Sequence, residues 1–219
     1  DRFVLSAGHA SMLLYSLLHI SGYDISLDDI KDFRQLHGKC AGHPEYGLVP
    51  GIEATTGPLG QGVATSVGMA IAERWMENYF NRHGHEIINH NIFAIAGDGC
   101  MMEGISGEAA SLAGHLGLGN LIWIYDNNHI TIEGETSLAF SEDVAARFKA
   151  YGWKVLHVGD ANDLVKLEKV FQAALSETDR PTLVVVDSHI AYGSPNKQDK
   201  ASAHGAPLGE DEVRATKIN

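Results

Sequence analysis

Nothing in this sequence approaches the run of about 20 apolar residues that a membrane-spanning helix requires, and the opening Asp1-Arg2-Phe3 does not resemble a secretory leader. Positive charge is also short. The 16 Lys and Arg stand against 28 Asp and Glu, a formal −12, which argues against nucleic acid or an anionic membrane as the main partner. Only two cysteines occur, Cys40 and Cys100, and they form no CxxC. Free packing thiols in a reducing cytosol are therefore expected, not a disulfide scaffold, and the localisation reads as cytoplasmic. No internal repeat, low-complexity tract or interdomain linker interrupts the chain.

What remains is globular. At 219 residues, 44% hydrophobic and 20% charged, the chain can bury a real core as one large domain or two small ones. Histidine, at 12, is abundant for this length. The chain starts without Met, inside the strand-like Phe3-Val4-Leu5, and stops at Lys217-Ile218-Asn219 just after a helical pattern, so it reads as a piece of a longer polypeptide.

Four apolar runs suit buried parallel strands: Ile92–Ala96, Leu121–Tyr125, Lys154–Val158 and Thr182–Val186. Helical stretches alternate with them. Ser106 to Leu116 is rich in Ala and Leu and is stopped by Gly117 and Gly119; Ser141 to Tyr151 carries acids in its first turn. Asn162 to Glu177 sets Leu164, Leu167, Val170, Phe171, Ala174 and Leu175 on one face. Gly62 to Tyr79 forms a long helix whose small residues (Ala64, Ser66, Gly68, Ala70, Ala72) suggest close packing. Such alternation predicts an α/β fold, a doubly wound, mostly parallel sheet with helices on both faces and ligands at the carboxyl ends of its strands.

Two of those ends carry chemistry. Gly97-Asp98-Gly99-Cys100-Met101-Met102-Glu103-Gly104 follows one strand, and Asp126-Asn127-Asn128-His129-Ile130 follows the next. A carboxylate, then a carboxamide beside a backbone carbonyl, are hard oxygen donors suited to Mg²⁺ or Ca²⁺ bridging to a diphosphate. The glycines around Asp98 let a phosphate approach main-chain N–H groups, and the residues after it open a helix. Alone, Asp98 reads better as a helix N-cap; Asn128 reverses that preference toward the metal. Gly57-Pro58-Leu59-Gly60-Gln61-Gly62 lacks a P-loop ending and the dinucleotide spacing, but stands before a helix where it could wrap a phosphate or a flat ring. His9, His43 and His204 sit in glycine-rich settings where a neutral imidazole can donate to phosphate or shuttle protons, although each alone suits capping or packing. The His37/His43 and His83/His85/His90 groups lack zinc spacing, and residues 83–90 read as a solvated loop. Residues 194–200 read as a mobile surface loop near His204.

Taken together, these stretches resemble the transketolase family. The likeness is carried by Ser6-Ala7-Gly8-His9-Ala10-Ser11-Met12, Gly42-His43-Pro44-Glu45, Thr55-Thr56-Gly57-Pro58-Leu59-Gly60-Gln61-Gly62, the Asp98 and Asn128 segments, and His204-Gly205-Ala206-Pro207-Leu208. They occur in order over essentially the whole chain. A thiamine-dependent decarboxylase or 2-oxoacid dehydrogenase would share the Asp98/Asn128 motif but not Gly-His-Pro-Glu or His-Gly-Ala-Pro-Leu. The resemblance implies one domain over residues 1–219, of the thiamine diphosphate-binding fold, holding the cofactor's diphosphate. It implies Asp98, the Asn128 side chain and the Ile130 carbonyl as ligands of Mg²⁺ or Ca²⁺. His9, Gly99, Asn128 and His204 would lie at the diphosphate, and Gly57, Pro58 and Leu59 beside the thiamine rings. His9, His43 and His204 would serve catalysis, and Glu103 a dimer contact that links two cofactor sites. The implied reaction transfers a two-carbon ketol unit from a ketose phosphate to an aldose phosphate, with the cofactor carrying the covalent chemistry.

Family members carry a further segment in front, with another active-site histidine, and continue into a pyrimidine-binding domain and a third domain. The glutamate that activates the cofactor belongs to that pyrimidine domain and has no counterpart here. Partners implied are sugar phosphates and a second copy, or a complementary pyrimidine-domain chain. The alternative is a non-catalytic module that binds thiamine diphosphate and metal, or only a partner chain; more distantly, the fold could serve another reaction. Apolar surface left exposed on the isolated domain predicts self-association.

Overall fold

The computed structural model describes residues 1–218; Asn219, the last residue of the expected domain, lies outside the described residues. In chain order the elements are β1 (Arg2–Leu5), α1 (Ser11–Ile20), α2 (Leu27–Lys31), α3 (Gln61–Phe80), β2 (Ile92–Gly97), α4 (Asp98–Met102), α5 (Gly104–Leu116) and β3 (Leu121–Asn127). A short hairpin follows, β4 (Ile130–Thr131) with β5 (Gly134–Glu135), then α6 (Val144–Ala150), β6 (Lys154–Val158), α7 (Leu164–Leu175), β7 (Thr182–Asp187) and α8 (Glu210–Ile218).

Five strands make one sheet in the order β1-β2-β3-β7-β6, and every pairing in it is parallel. The doubly wound α/β architecture expected from the alternating pattern is the one found. From β3 the chain crosses to the edge strand β6 and returns to insert β7 between them. The carboxyl ends of β1, β2, β3 and β7 thus lie side by side at one crest.

Burial explains why these runs form strands. Leu183 and Val184 are fully enclosed in β7, as Ile122 and Trp123 are in β3, the mark of strands covered on both faces. Trp123, Phe148 and Trp153 pack together under α3, α5 and α6. Both indoles keep a partner: Trp123 Nε1 donates to Ser66 Oγ at 2.9 Å and Trp153 Nε1 to the Ala110 carbonyl at 2.8 Å. On the opposite face Ile122, Val184, Val186 and Val158 meet Ala174, Leu167 and Val170 of α7. A third cluster seats α1 through Leu14, Tyr15 and Leu18 against Leu5, Ile25 and Cys40.

The close packing expected of α3 belongs to a narrower set of residues. Gly62, Ser66 and Ala70 are buried along one stripe, whereas Gly68 and Ala72 face solvent and Ala64 is half-buried. At Gly62 the contact forbids a side chain, since a Cβ would lie 2.5 Å from the Ser6 Cα. Helix starts also move relative to the pattern. Asp143 and Asp163 stand outside α6 and α7 as N-caps, accepting from the amides of Ala146 and Lys166. Likewise α5 starts earlier, at Gly104. Leu164 and Leu175, placed by periodicity on the buried face of α7, are exposed. Both cysteines are free and buried. Among the described residues no helix is long and apolar enough to cross a membrane.

Candidate functional site

Four strand ends and two glycine loops supply the site. After β1, Ser6 turns the chain toward His9: its hydroxyl accepts from the Val63 amide at 3.0 Å, tying this turn to the start of α3. A Cβ on Gly8 would lie 2.9 Å from the Gly57 nitrogen, and one on Gly57 3.4 Å from Cγ of His43. Leu59 reaches across to the turn after β2, its Cδ1 lying 2.8 Å from where a Gly99 Cβ would be. Gly60, at φ 80°, caps α3 and fits against Glu103 and Ser106. Residues 8–9, 43, 57–60 and 98–103 are thereby gathered at one end of the sheet.

Asp98 is the first helical residue of α4 and not its N-cap, which is Gly97. This helix is a single turn that ends at Glu103, where the chain is extended before α5 begins. An anion here would therefore meet the free N–H groups of one short turn and little macrodipole. The Asp98 carboxylate, 4% exposed, accepts from the Tyr125 hydroxyl at 2.5 Å and from the His129 amide at 3.1 Å. Burial pushes its carboxyl above the usual carboxylate range, against the lowering effect of those bonds and of His129. The Tyr125 phenol is pushed up in turn, by burial first and by the Asp98 bond second. His129 sits at φ 62°, a left-handed conformation that brings its amide to Asp98.

The loop after β3 is hydrogen-bonded along its length. Asn128 Nδ2 donates to Asp126 Oδ2 at 2.8 Å, and Asn128 Oδ1 accepts from the Ile130 amide at 2.9 Å. The other Asp126 oxygen accepts from the Ser188 hydroxyl at the end of β7. A cavity of about 380 Å³ opens on this loop between the β4–β5 hairpin and residues 188–199; Asn128, Ile130, Ser188, His189 and Asp199 are among its walls.

His9 and His204 stack with ring centroids 4.7 Å apart. Burial lowers the His9 pKa most, and the neighbouring His204 and His43 lower it further against Asp126. Burial also lowers His204, opposed by Asp126 and Asp98. Both rings are neutral at neutral pH and each keeps one N–H to donate. His204 Nδ1 is buried with no protein partner. Residues 194–200, expected as a mobile surface loop near His204, are instead tied by hydrogen bonds. Glu212 accepts from the Ser194 hydroxyl and from both the amide and Nδ2 of Asn196, and His189 Nδ1 lies 2.9 Å from Asp199 Oδ1. Residues 83–90 lie at the surface, closed by an Arg82–His85 bridge.

The residues fit a diphosphate and a hard cation. Asp98 and Asn128 offer oxygens with lone pairs to spare, Ile130 adds a carbonyl, and the orphaned His204 nitrogen awaits a polar partner. Among the described residues no three His, Cys, Asp or Glu side chains gather as a metal-holding group. The expected set contains one carboxylate only, so it does not depend on such a group. Glu103 is exposed, as a contact with another chain requires. The sequence alone marks neither Tyr125 nor Ser188, and assigns Asp126 no role. An ionisable or hydroxyl residue at the polar end of an apolar strand run was the available signal.

Comparison with known proteins agrees in sequence and in shape. The family described as transketolase, thiamine diphosphate binding domain, matches residues 1–219. Among curated relatives, the transketolase of Geobacillus stearothermophilus is 59% identical over 217 residues, 99% of this chain and 32% of its own length. Transketolase 1 of Vibrio cholerae is 56% identical over 217 residues, 99% of this chain and 33% of its own. Transketolase from Leishmania mexicana superposes with a TM-score of 0.97 at 46% identity, covering 100% of this chain and 32% of that one. A Pichia stipitis transketolase solved with sedoheptulose-7-phosphate gives 0.97 at 48% identity, with the same coverage. The chain spans about a third of the length of these relatives.

Proposed function

The chain belongs to the transketolase family, matching its thiamine diphosphate-binding domain, and from that premise we propose that it forms the diphosphate-and-metal half of a ketol-transferring active site. The substrates are a ketose phosphate donor and an aldose phosphate acceptor; the Pichia stipitis relative was solved with such a sugar phosphate. Bound thiamine diphosphate supplies the carbon nucleophile that carries the two-carbon unit. One observation carries the reading: three oxygen donors, at Asp98, Asn128 and Ile130, share a crest with a neutral histidine pair that has one unpartnered buried nitrogen.

Each residue has a definable task. Asp98, Asn128 and the Ile130 carbonyl hold Mg²⁺ or Ca²⁺, whose charge offsets that of the diphosphate. Gly99 donates its amide to a phosphate oxygen, and its missing Cβ leaves Leu59 room beside the thiamine rings with Gly57 and Pro58. His204 and His9 donate N–H groups to the diphosphate. Being neutral, they also exchange protons with substrate hydroxyls without a charge to shed first, and His43 joins them in that exchange. Glu103, exposed where α4 gives way to α5, meets a second copy or a complementary chain carrying the pyrimidine-binding part. The working enzyme is a dimer in the cytoplasm.

Calorimetry with thiamine diphosphate, in Mg²⁺ and again in excess chelator, tests the cofactor half of this reading. Cation-dependent binding that Asp98→Ala abolishes is expected. Binding indifferent to both would refute it. Transfer from a ketose phosphate to an aldose phosphate by the complete polypeptide tests the reaction, and its absence there would leave only the binding module.

A further inference from the structure

A carboxamide presents oxygen to a cation only when its NH₂ group is turned the other way. Asn128 has a neighbour able to enforce this. Asp126 is the penultimate residue of β3 and pairs in register with Gly97 of β2 and Val186 of β7. The group facing its side chain is the Asn128 NH₂, which donates to Oδ2 at 2.8 Å. The carboxylate is itself fixed, because its second oxygen takes the Ser188 hydroxyl. On the neighbouring residue, Asn127 Nδ2 donates to Asp187 Oδ1 at 2.7 Å and the Ser188 amide to the Asn127 carbonyl at 3.4 Å. These bonds pin the ends of β3 and β7 together, and Asp126 cannot swing without releasing Ser188. Asn128 Oδ1 is left facing the Ile130 amide with a lone pair free.

We propose that Asp126, propped by Ser188, is the positioning residue that turns the Asn128 carboxamide oxygen toward the bound cation. The inference rests on the proposed role of Asn128 as a ligand.

The test is calorimetric affinity for Ca²⁺ and for Mg²⁺, at saturating thiamine diphosphate, on the complete polypeptide. Asp126→Ala is expected to weaken cation binding about tenfold, at the lower end of losses typical for partners of metal ligands. Asp126→Asn should lose much less. Its amide oxygen can still face Asn128 while the Ser188 hydroxyl rotates to accept from the new NH₂. Asp126→Ala added to Asn128→Ala should cost nothing further, since the first acts only through the second. Additive losses would mean that Asp126 acts on the cation directly and would overturn the proposal, as would an Asp126→Asn loss equal to that of Asp126→Ala. Ser188→Ala, a milder change should Asp126→Ala not fold, is expected to weaken binding measurably; unchanged affinity would remove the prop and the proposal with it. If Asn128→Ala itself binds the cation normally, the metal-site reading fails; if Asn128→Ala is impaired and Asp126→Ala is not, this inference alone fails.

Discussion

Replacing Asp98 by Asn should reverse the stability order of the protein depending on whether cofactor and cation are present. Without ligands the substitution removes a charge from a site where burial outweighs the carboxylate's two hydrogen bonds and its attraction to His129. Both bonds have substitutes: the new carbonyl can accept from the His129 amide, and the new NH₂ can donate to the Tyr125 oxygen. Each becomes a neutral bond, weaker by about 1 kcal/mol than one to a charged acceptor, while the desolvation of a carboxylate is relieved. The ligand-free variant is therefore expected to be at least as stable as the parent. With ligands at about 100 times Kd the parent gains about 2.7 kcal/mol, which for a domain of this size raises Tm by about 5–10 °C. The variant should show almost none of that rise. Thermal unfolding followed by circular dichroism, with and without Mg²⁺ and thiamine diphosphate at those concentrations, reads both arms. A full ligand-induced rise in the variant would refute the placement of the cation, and a ligand-free variant destabilised by more than about 2 kcal/mol would refute the argument from burial.

Two glycines of α3 should respond in opposite directions to alanine. Gly68→Ala meets no atom within 4 Å and should stabilise the helix by about 0.5–1 kcal/mol, whereas Gly62→Ala drives a Cβ into the Ser6 backbone and should cost about 1–3 kcal/mol, both measured by urea unfolding. The Glu212 carboxyl is held down to about 2 by the Ser194 hydroxyl and the Asn196 side chain and amide. A depressed acid stabilises the fold above its unfolded pKa, about 4.3, and loses that contribution as pH falls toward 2. The stability gap between parent and Glu212→Gln should accordingly close across that window. Proteolysis at residues 194–200 should already be faster in the variant at pH 7.

The strands were legible because an all-parallel sheet covered on both faces demands continuous apolar runs, and Thr182–Val186 and Leu121–Tyr125 contain little else. Helix starts were less so. Asp143 and Asp163 read equally as first-turn acids or as caps, and only the observed bonds to Ala146 and Lys166 separate the two. The helices α1 and α2 were not anticipated. Apolar residues stand on every side of α1, leaving Leu13 and Leu17 half-exposed, and α2 is barely more than one turn. At the site, glycine spacing and family likeness marked Asp98, Asn128, His9 and His204. The network among Tyr125, Asp126 and Ser188 was hidden because its bonds join residues 27 and 62 positions apart.

Inserting β7 between β3 and β6 also bears on how the chain comes to be folded. Emerging from the ribosome in order, β3 and β6 are both complete while the strand that joins them is still unmade. Each keeps an open edge able to pair with the wrong neighbour until residues 182–187 arrive. Nor does any earlier fragment hold the whole proposed site, for Ser188 and His204 come later still. The open edges of β3 and β6 are where a chaperone would have its task.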